Sequence, residues 1–190
     1  MPTPDRTSLG EIVAAARDLL EADGVDGLSM RAVADRVGVR APSLYKRVQG
    51  RDALLRLVAE STIDDLAERL DAVSRVDAGA DPVARLGGFA RTLRAFAHEK
   101  PAGYRLIFAP PAGASLAPER LASATGSLFA LTSQLAGADH ALEAARTVTA
   151  WATGFIAMEL AGAFQLGGDV DRAFDFGVSR IGAALARLAD

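Results

Sequence analysis

The chain of 190 residues contains no cysteine, which excludes disulfide bonds, thiolate metal sites and a cysteine nucleophile. It has only two histidines, His98 and His140, and neither lies in the spacing of a metal site or near a nucleophile motif. The sequence also lacks a phosphate-binding loop, a dinucleotide-binding fingerprint and a Gly-x-Ser-x-Gly motif. These absences predict a protein that is not an enzyme and that binds neither a cofactor nor a metal.

The sequence has no hydrophobic run long enough for a membrane. Residues 1–6 lack the basic stretch and apolar segment of a secretory signal. The most apolar segment, residues 151–164, is too short to span a bilayer and contains Glu159. Since 50% of the residues are hydrophobic and 24% are charged, the composition is that of a globular protein. We therefore expect a cytoplasmic protein with no membrane contact.

Strand patterns are absent as well. The sequence shows no sustained alternation of apolar and polar residues and no Asn-Gly or Asp-Gly hairpin. Apolar residues instead recur with the period of an α-helix throughout the chain. The sequence predicts an all-α fold of about nine helices, at residues 9–23, 30–37, 41–48, 51–75, 82–99, 103–109, 118–136, 140–166 and 170–188.

Positive charge is scarce overall but concentrated in one segment. The net charge of the chain is −3. Residues 28–51 hold six basic side chains and the single acid Asp35, which gives a local charge of +5 and leaves −8 over the rest. A basic segment on an acidic protein is typical of a protein that binds a polyanion through one face. The alternative is a solvated basic face without a partner.

The same segment has the pattern of a helix-turn-helix. Two short predicted helices, residues 30–37 and 41–48, flank Gly38, which permits a sharp turn. Ala34 is small enough for the helices to cross closely, while Val39 and Leu44 fill the small core between them. In such a motif the second helix presents its outer face to the major groove of DNA. Two short helices of an ordinary bundle are the alternative interpretation.

The outward residues of this motif suit contacts with DNA. Arg40 and Lys46 can donate to phosphates or guanine edges, and Ala41 can contact a thymine methyl group. Tyr45 and Arg47 are placed to reach the DNA backbone. The amide ends of the helices that begin after Ser29 and at Arg51 can each hold a phosphate. The predicted DNA-binding residues are Ser29, Arg31, Arg40, Ala41, Ser43, Tyr45, Lys46, Arg47 and Arg51.

Residues 9–58 resemble the DNA-binding domain of the tetracycline-repressor (TetR/AcrR) family. The resemblance is carried by residues 15–21 with Gly24, by residues 28–34, by residues 37–39 and 42–45, and by residues 51–55. It implies a DNA-binding domain over residues 1–52 and a helical effector-binding and dimerisation domain over residues 53–190.

Three residues depart from the family pattern. Arg40 replaces the usual Ser or Thr cap of the recognition helix, Val48 replaces an aromatic residue, and Arg51 replaces a lysine. The loss of the cap adds a cation near DNA, which indicates an unusual operator specificity. In the C-terminal part, Trp151, Gly154 and Phe155 resemble the Trp-His-Gly signature of one subclass, although Thr153 stands where that subclass has His.

Aromatic residues are concentrated in the C-terminal part, since all eight Phe and the only Trp lie between Phe89 and Phe176. Ligand pockets are mostly apolar with a few polar groups, which His98, Gln134 and Glu159 could supply. Aromatic residues at helical spacing also fill ordinary cores, which is the alternative. The candidate ligand-binding residues are Phe89, Phe96, Tyr104, Phe108, Phe129, Trp151, Phe155 and Met158.

The last two predicted helices have features of a packing interface. The final helix carries apolar residues at heptad-like spacing, and small residues on the helix before it allow close approach. The family resemblance implies that these helices form a two-fold dimer interface, whereas packing within one chain is the alternative. The predicted interface residues are Ala150, Gly154, Ala157, Ala161, Phe174, Val178, Ile181 and Leu185.

Together these features predict a transcriptional regulator. The resemblance implies a repressor that binds palindromic double-stranded operator DNA as a homodimer and is released by a small apolar or aromatic effector. It also implies that the helix predicted at residues 51–75 is the lever, that is, the element that transmits effector binding to the DNA-binding helices. An activator remains an alternative. So does a helical carrier of small molecules, which would show no salt-sensitive retention on DNA or heparin.

Overall fold

The computed structural model describes residues 8–76 and 79–188, and every regular element in this part of the chain is helical. This confirms the predicted all-α fold, with ten α-helices and one short 3-10 helix, Ala138–His140, in the described residues. The α-helices are α1 (Leu9–Gly27), α2 (Met30–Arg36), α3 (Ala41–Tyr45), α4 (Arg51–Val76), α5 (Pro82–Glu99), α6 (Pro101–Phe108), α7 (Pro118–Ala124), α8 (Gly126–Ala136), α9 (Ala141–Leu160) and α10 (Val170–Ala186).

The chain forms two compact units, and α4 contributes residues to both. Among the described residues, the first unit comprises residues 8–65 with Lys100–Leu121 and the second comprises Leu66–Glu99 with residues 122–188. The first unit therefore contains α1–α3 and α6, and the second contains α5 and α8–α10. The boundary predicted after residue 52 separates DNA binding from effector binding and dimerisation. The compact units do not test this functional boundary, so it stays a prediction.

Helix α1 begins as its sequence predicts and is interrupted at Gly24. The Ser8 hydroxyl accepts from the amide of Glu11 at 3.1 Å, and the Glu11 carboxylate accepts from the amide of Ser8 at 2.6 Å, which completes a capping box. Gly24 has a left-handed φ of 72°, as expected for a glycine that breaks a helix. Gly24 interrupts the helical conformation, as predicted for a helix that ends at residue 23, and a further short helical segment continues to Gly27.

The first unit has a contiguous hydrophobic core that holds the two short helices in place. Leu44 of α3 is only 1% exposed, so α3 is anchored by its inner face. Burial of a leucine of this kind stabilises a fold by about 1.5–3 kcal/mol. The largest fully buried side chains of this core are Ile12, Leu20, Leu28, Leu44, Leu54, Leu55 and Leu106.

Two predicted helices of the second half differ from the structure. The helix predicted at residues 118–136 is interrupted at Thr125, whose hydroxyl donates to the carbonyl of Ala122 at 3.4 Å, and continues as α8 from Gly126. Threonine hydroxyls compete in this way with helical hydrogen bonds, and the adjacent glycine disfavours helix. The helix predicted at residues 140–166 ends at Leu160, because Gly162, with φ of 66°, turns the chain earlier than expected.

Aromatic residues fill the core of the second unit where α9 and α10 pack. The ring centroid of Trp151 lies 5.2 Å from that of Phe174 and 5.7 Å from that of Phe155. The indole also covers Gly177 of α10, since a Cβ atom at that position would lie 2.1 Å from Cζ2 of Trp151. The absence of a side chain at Gly177 therefore permits this close packing.

Gly177→Ala is expected to destabilise the protein by about 1–3 kcal/mol, because the indole must leave its place or α10 must move. Chemical unfolding monitored by tryptophan fluorescence measures this loss. Gly126→Ala is the matched control, because nothing lies within 4 Å of a Cβ atom there and alanine favours helix. Equal stability of the two variants would contradict the proposed packing.

Candidate functional site

Helices α2 and α3 are joined by a tight turn, as the helix-turn-helix pattern predicts. Gly38 adopts a left-handed φ of 71° in this turn, and the amide of Val39 donates to the carbonyl of Ala34 at 3.0 Å. Helix α2 begins at a side-chain cap, because the Ser29 hydroxyl accepts from the amide of Ala32 at 3.1 Å. The Ser29 side chain is therefore engaged by its own helix, and its predicted phosphate contact has to come from the helix terminus.

Helix α3 is shorter than its sequence predicts, since it spans five residues and residues 46–48 follow as a turn. Its N-cap residue, Arg40, makes no side-chain cap hydrogen bond. Its guanidinium is therefore not used to close the helix. The weak start agrees with the substitution of arginine for a capping Ser or Thr.

Most of the predicted DNA-binding side chains are exposed on α2, α3 and the turn that follows. Tyr45, at 57% exposure, is the largest exposed apolar side chain of this segment, and Ala41 is half-buried. Arg31 makes only a long ion pair with Asp35, 3.9 Å between Nε and Oδ2, in which both side chains are solvated. The exposed members of the set are Arg31, Arg40, Ser43, Tyr45, Lys46, Arg47 and Arg51.

Arg51 has a role that the sequence did not indicate. Its Nε donates to the carbonyl of Leu28 at 2.8 Å, and its Nη2 donates to the carbonyl of Val25 at 2.5 Å. Carbonyl groups at the end of a helix lack intrahelical partners, so this arginine closes the C-terminal end of α1. Arg51 thus ties the start of α4 to α1, beside the helix-turn-helix.

A second tie joins α1 to α6 within the first unit. The Glu21 carboxylate accepts from the amides of Ala102 at 3.0 Å and Gly103 at 2.8 Å, which caps the N-terminus of α6. A Cβ atom at Gly103 would lie 2.9 Å from Oε1 of Glu21, so the glycine allows the carboxylate to approach. Sequence analysis missed this capping contact because its partners are 81 and 82 residues apart. Pro101 signals only that a helix begins there.

The candidate ligand-binding aromatic residues do not form one group. Tyr104 and Phe108 pack against each other in the first unit at a centroid distance of 4.8 Å, and burial raises the pKa of Tyr104 to about 12. The other six belong to the second unit. Phe89 and Phe96 are buried, Trp151 and Phe155 are half-buried, and Phe129 and Met158 are exposed. The set therefore combines core residues with surface residues.

The predicted dimer residues divide in a similar way. The small residues Ala150, Gly154, Ala157 and Ala161 are all exposed along α9 and its C-terminal end. On α10, Phe174 and Val178 are buried within the unit, and Ile181 and Leu185 are half-buried. The outward face of α10 instead presents Phe176, which is 62% exposed.

Comparison with known families decides what kind of protein this is. Residues 12–58 match the family described as bacterial regulatory proteins, tetR family, and residues 86–181 match the tetracyclin repressor-like C-terminal domain. The chain belongs to the TetR family of transcriptional regulators. This family consists of DNA-binding regulators and not of enzymes, in agreement with the sequence analysis.

Relatives of this TetR-family chain include HTH-type transcriptional regulators and a tetracycline repressor protein. An uncharacterized HTH-type transcriptional regulator of Mycobacterium tuberculosis, Rv0681, is 30% identical over 97% of this chain and 84% of its own length. The class A tetracycline repressor protein from transposon 1721 of Escherichia coli is 32% identical over 85% of the chain and 73% of its own length. The solved regulatory protein SCO4313 is 27% identical, with a TM-score of 0.74, over 90% of this chain and 93% of its own.

The second unit of the TetR-family chain carries a charged cleft of about 620 Å³ on α5, α9 and α10. Arg94 donates to Glu159 through Nε at 2.8 Å and Nη2 at 2.5 Å, and to Asp171 at 2.6 Å. Hydrogen bonds from Arg94 hold the pKa of Glu159 below its usual value, although burial opposes this shift. His98 Nε2 lies 3.1 Å from Glu159 Oε2. The cleft is lined by Arg91, Arg94, Ala95, His98, Glu159, Asp171 and Asp175.

His98 and Glu159 were predicted to supply polar groups to a ligand pocket, and the structure brings both into this cleft. Gln134 lies elsewhere, hydrogen-bonded to Arg85. No helix in the described ranges is long and apolar enough to cross a membrane.

Proposed function

We propose that the chain is a ligand-responsive repressor that binds a palindromic operator and leaves it when a small molecule binds. The observation that carries this proposal is the exposed basic surface on α2, α3 and the following turn, in a chain whose remainder is acidic. Exposed arginine and lysine side chains supply the electrostatic part of DNA binding. The name of the 32% identical tetracycline repressor protein favours repression over activation.

A homodimer is the proposed DNA-binding form. Two recognition helices must reach half-sites about 34–36 Å apart, or a multiple of that distance, which a two-fold dimer achieves. The proposed interface uses the exposed small residues of α9, from Ala150 to Ala161, with the outward face of α10 around Phe176. Because Phe174 and Val178 already pack inside the protomer, they are proposed to support this face and not to contact the partner.

The effector is proposed to be a small molecule with an apolar or aromatic part that binds in the second unit. The half-buried rings of Trp151 and Phe155, which pack on the buried Phe174, supply apolar surface there. Trp151 and Gly154 also support the proposed assignment to the Trp-His-Gly subclass, although Thr153 stands where that subclass has a histidine. The protein is proposed to act in the cytoplasm, where bacterial operators lie.

Gel-shift analysis of the DNA flanking the protein's own gene tests the proposed function. A palindromic fragment should be retarded, and the affinity should fall steeply with salt because binding releases counterions from the phosphates. Failure to retard any flanking fragment, followed by failure of random-sequence selection to enrich a site, would contradict operator binding. The chain would then be considered a carrier of small molecules.

Helix α4 is the proposed lever between effector and operator, because it contributes residues to both units. The effector can shift the protein only if it binds one conformation more tightly than the other. Linkage then requires that operator DNA lower the effector affinity by the same factor by which effector lowers operator affinity, about 5–150-fold in typical cases. Calorimetric titration of effector into free and operator-bound protein measures this factor, and equal affinities would exclude the lever.

A further inference from the structure

Three arginines of the second unit are half-buried, and one of them lacks a carboxylate partner. Arg69 donates to both oxygens of Glu99 at 2.7 and 3.1 Å, and Arg94 holds Glu159. Arg85 of α5 donates only to neutral groups among the described residues. A cation taken partly out of water without a counter-ion is costly, so Arg85 carries an uncompensated positive charge.

The hydrogen-bond donors of Arg85 that lack a good acceptor lie on one edge of its guanidinium. Its Nη1 makes a short hydrogen bond of 2.7 Å to Oε1 of Gln134. Its Nη2 reaches only the Ser74 hydroxyl, at the long distance of 3.4 Å, and its Nε is buried without any hydrogen-bond partner in the structure. A buried donor without an acceptor destabilises the fold, so this edge favours a ligand that supplies an acceptor.

The same edge binds a carboxylate elsewhere in the unit. Arg94 uses its Nε and Nη2 to hold the two oxygens of Glu159, a fork that matches the planar carboxylate group. At Arg85 the corresponding two donors are not bonded to an acid among the described residues, since Nη2 reaches only a hydroxyl and Nε has no partner. The long bond to Ser74 is the contact that an incoming carboxylate displaces.

We propose that the Nε and Nη2 edge of Arg85 binds the carboxylate of an acidic effector. This inference rests on the proposed function, because only a regulator has an effector, but binding of a carboxylate at Arg85 does not require DNA. A planar carboxylate matches the two donors of this edge, and the apolar or aromatic part is the one already proposed for the effector. The effector class is therefore an organic monocarboxylate.

The Tm of the protein without DNA, measured with octanoate or benzoate at millimolar concentration, tests the site. The primary amide of each acid and inorganic phosphate serve as control ligands. At least one acid should raise the Tm of the wild type, and its amide should not. Arg85→Gln should abolish the shift, whereas Arg146→Gln, at an exposed arginine of α9 that does not line the charged cleft, should retain it. Absence of any shift, equal shifts with acid and amide or with acid and phosphate, or a shift retained in Arg85→Gln would each overturn the proposal.

A second variant tests the edge without any ligand. Ser74→Asp places a carboxylate beside Nη2 and Nε of Arg85, so it should raise the Tm above that of the neutral Ser74→Asn by about 2–4 °C. It should also remove the response to the acids. A Tm of Ser74→Asp equal to or below that of Ser74→Asn would overturn the proposed open edge. Neither measurement depends on operator binding, so loss of the gel shift contradicts only the regulatory function.

Discussion

Replacing Arg40, Lys46 and Arg47 together by glutamine is expected to weaken operator binding about 100-fold at about 0.15 M salt. All three side chains are exposed, Arg40 at the N-cap of α3 and Lys46 and Arg47 in the turn after it, so no buried side chain is removed. Each phosphate contact contributes about −0.9 to the slope of log affinity against log salt, so the slope should become shallower by about 2–3. Fluorescence anisotropy with a labelled operator across a salt series measures both quantities.

A charge-matched control separates a local effect from a change of net charge. Arg75, Arg105 and Arg172 are also exposed, but none lies on α2, α3 or the turn after α3. Their replacement by glutamine changes the net charge equally and should change the slope little. If the two triple variants bound equally well, the basic segment would not be the DNA-binding surface.

Within the proposed interface, Arg40 is distinguished from the other two cations. It precedes α3 as its N-cap, and no side-chain cap hydrogen bond restrains it. Arginine binds guanine through two parallel hydrogen bonds, so Arg40 is the candidate for base-specific contact while Lys46 and Arg47 suit phosphates. The single variant Arg40→Gln should therefore relax specificity at one base pair, in addition to its share of the salt dependence.

The sequence predicted most accurately those features that depend on neighbouring residues. The start of α1, with the capping box of Ser8 and Glu11, and the turn at Gly38 both follow local patterns. Gly24 shows the limit of this approach. The predicted end of the first helix coincides with this non-helical glycine, but helical structure resumes beyond it to Gly27, where Arg51 bonds to the carbonyl of Val25.

Features that depend on distant parts of the chain were not predictable. The heptad-like spacing on α10 indicated an apolar face, but not whether that face meets another protomer or its own unit. Phe174 and Val178 show that it is buried inside the unit. Likewise, Arg94 and Glu159 are 65 residues apart, so their ion pair emerges only when α5 packs beside α9.

The ion pair of Arg94 and Glu159 is the electrostatic contact whose loss should most destabilise the second unit. Their side chains are only 16% and 14% exposed, and the guanidinium also lies over the ring of Phe174 at 5.0 Å from its centroid. Arg94→Met should therefore cost about 3 kcal/mol, because it leaves the Glu159 charge buried without its main partner. Urea unfolding at neutral pH measures this cost. Arg91→Met, at a solvated pair with Asp175, should cost under about 1 kcal/mol.

Two further measurements show whether Arg94→Met loses stability because a charge is buried without a partner or because packing is lost. One removes both charges, and the other changes the pH. The double variant Arg94→Met with Glu159→Gln should recover most of the stability, since it leaves no uncompensated carboxylate. Arg94 lowers the pKa of Glu159 in the folded wild type, so this stabilisation is present above the unfolded pKa of about 4.3 and is lost as pH falls through the folded value. Arg94→Met removes the largest cause that lowers the pKa of Glu159, while burial still raises it, so the carboxylate of the variant is expected to become protonated at a higher pH than that of the wild type. The difference in the free energy of unfolding between wild type and Arg94→Met should thus become smaller towards acidic pH. If that difference did not depend on pH and the double variant recovered no stability, the loss would instead come from the methylene and ring contacts of Arg94.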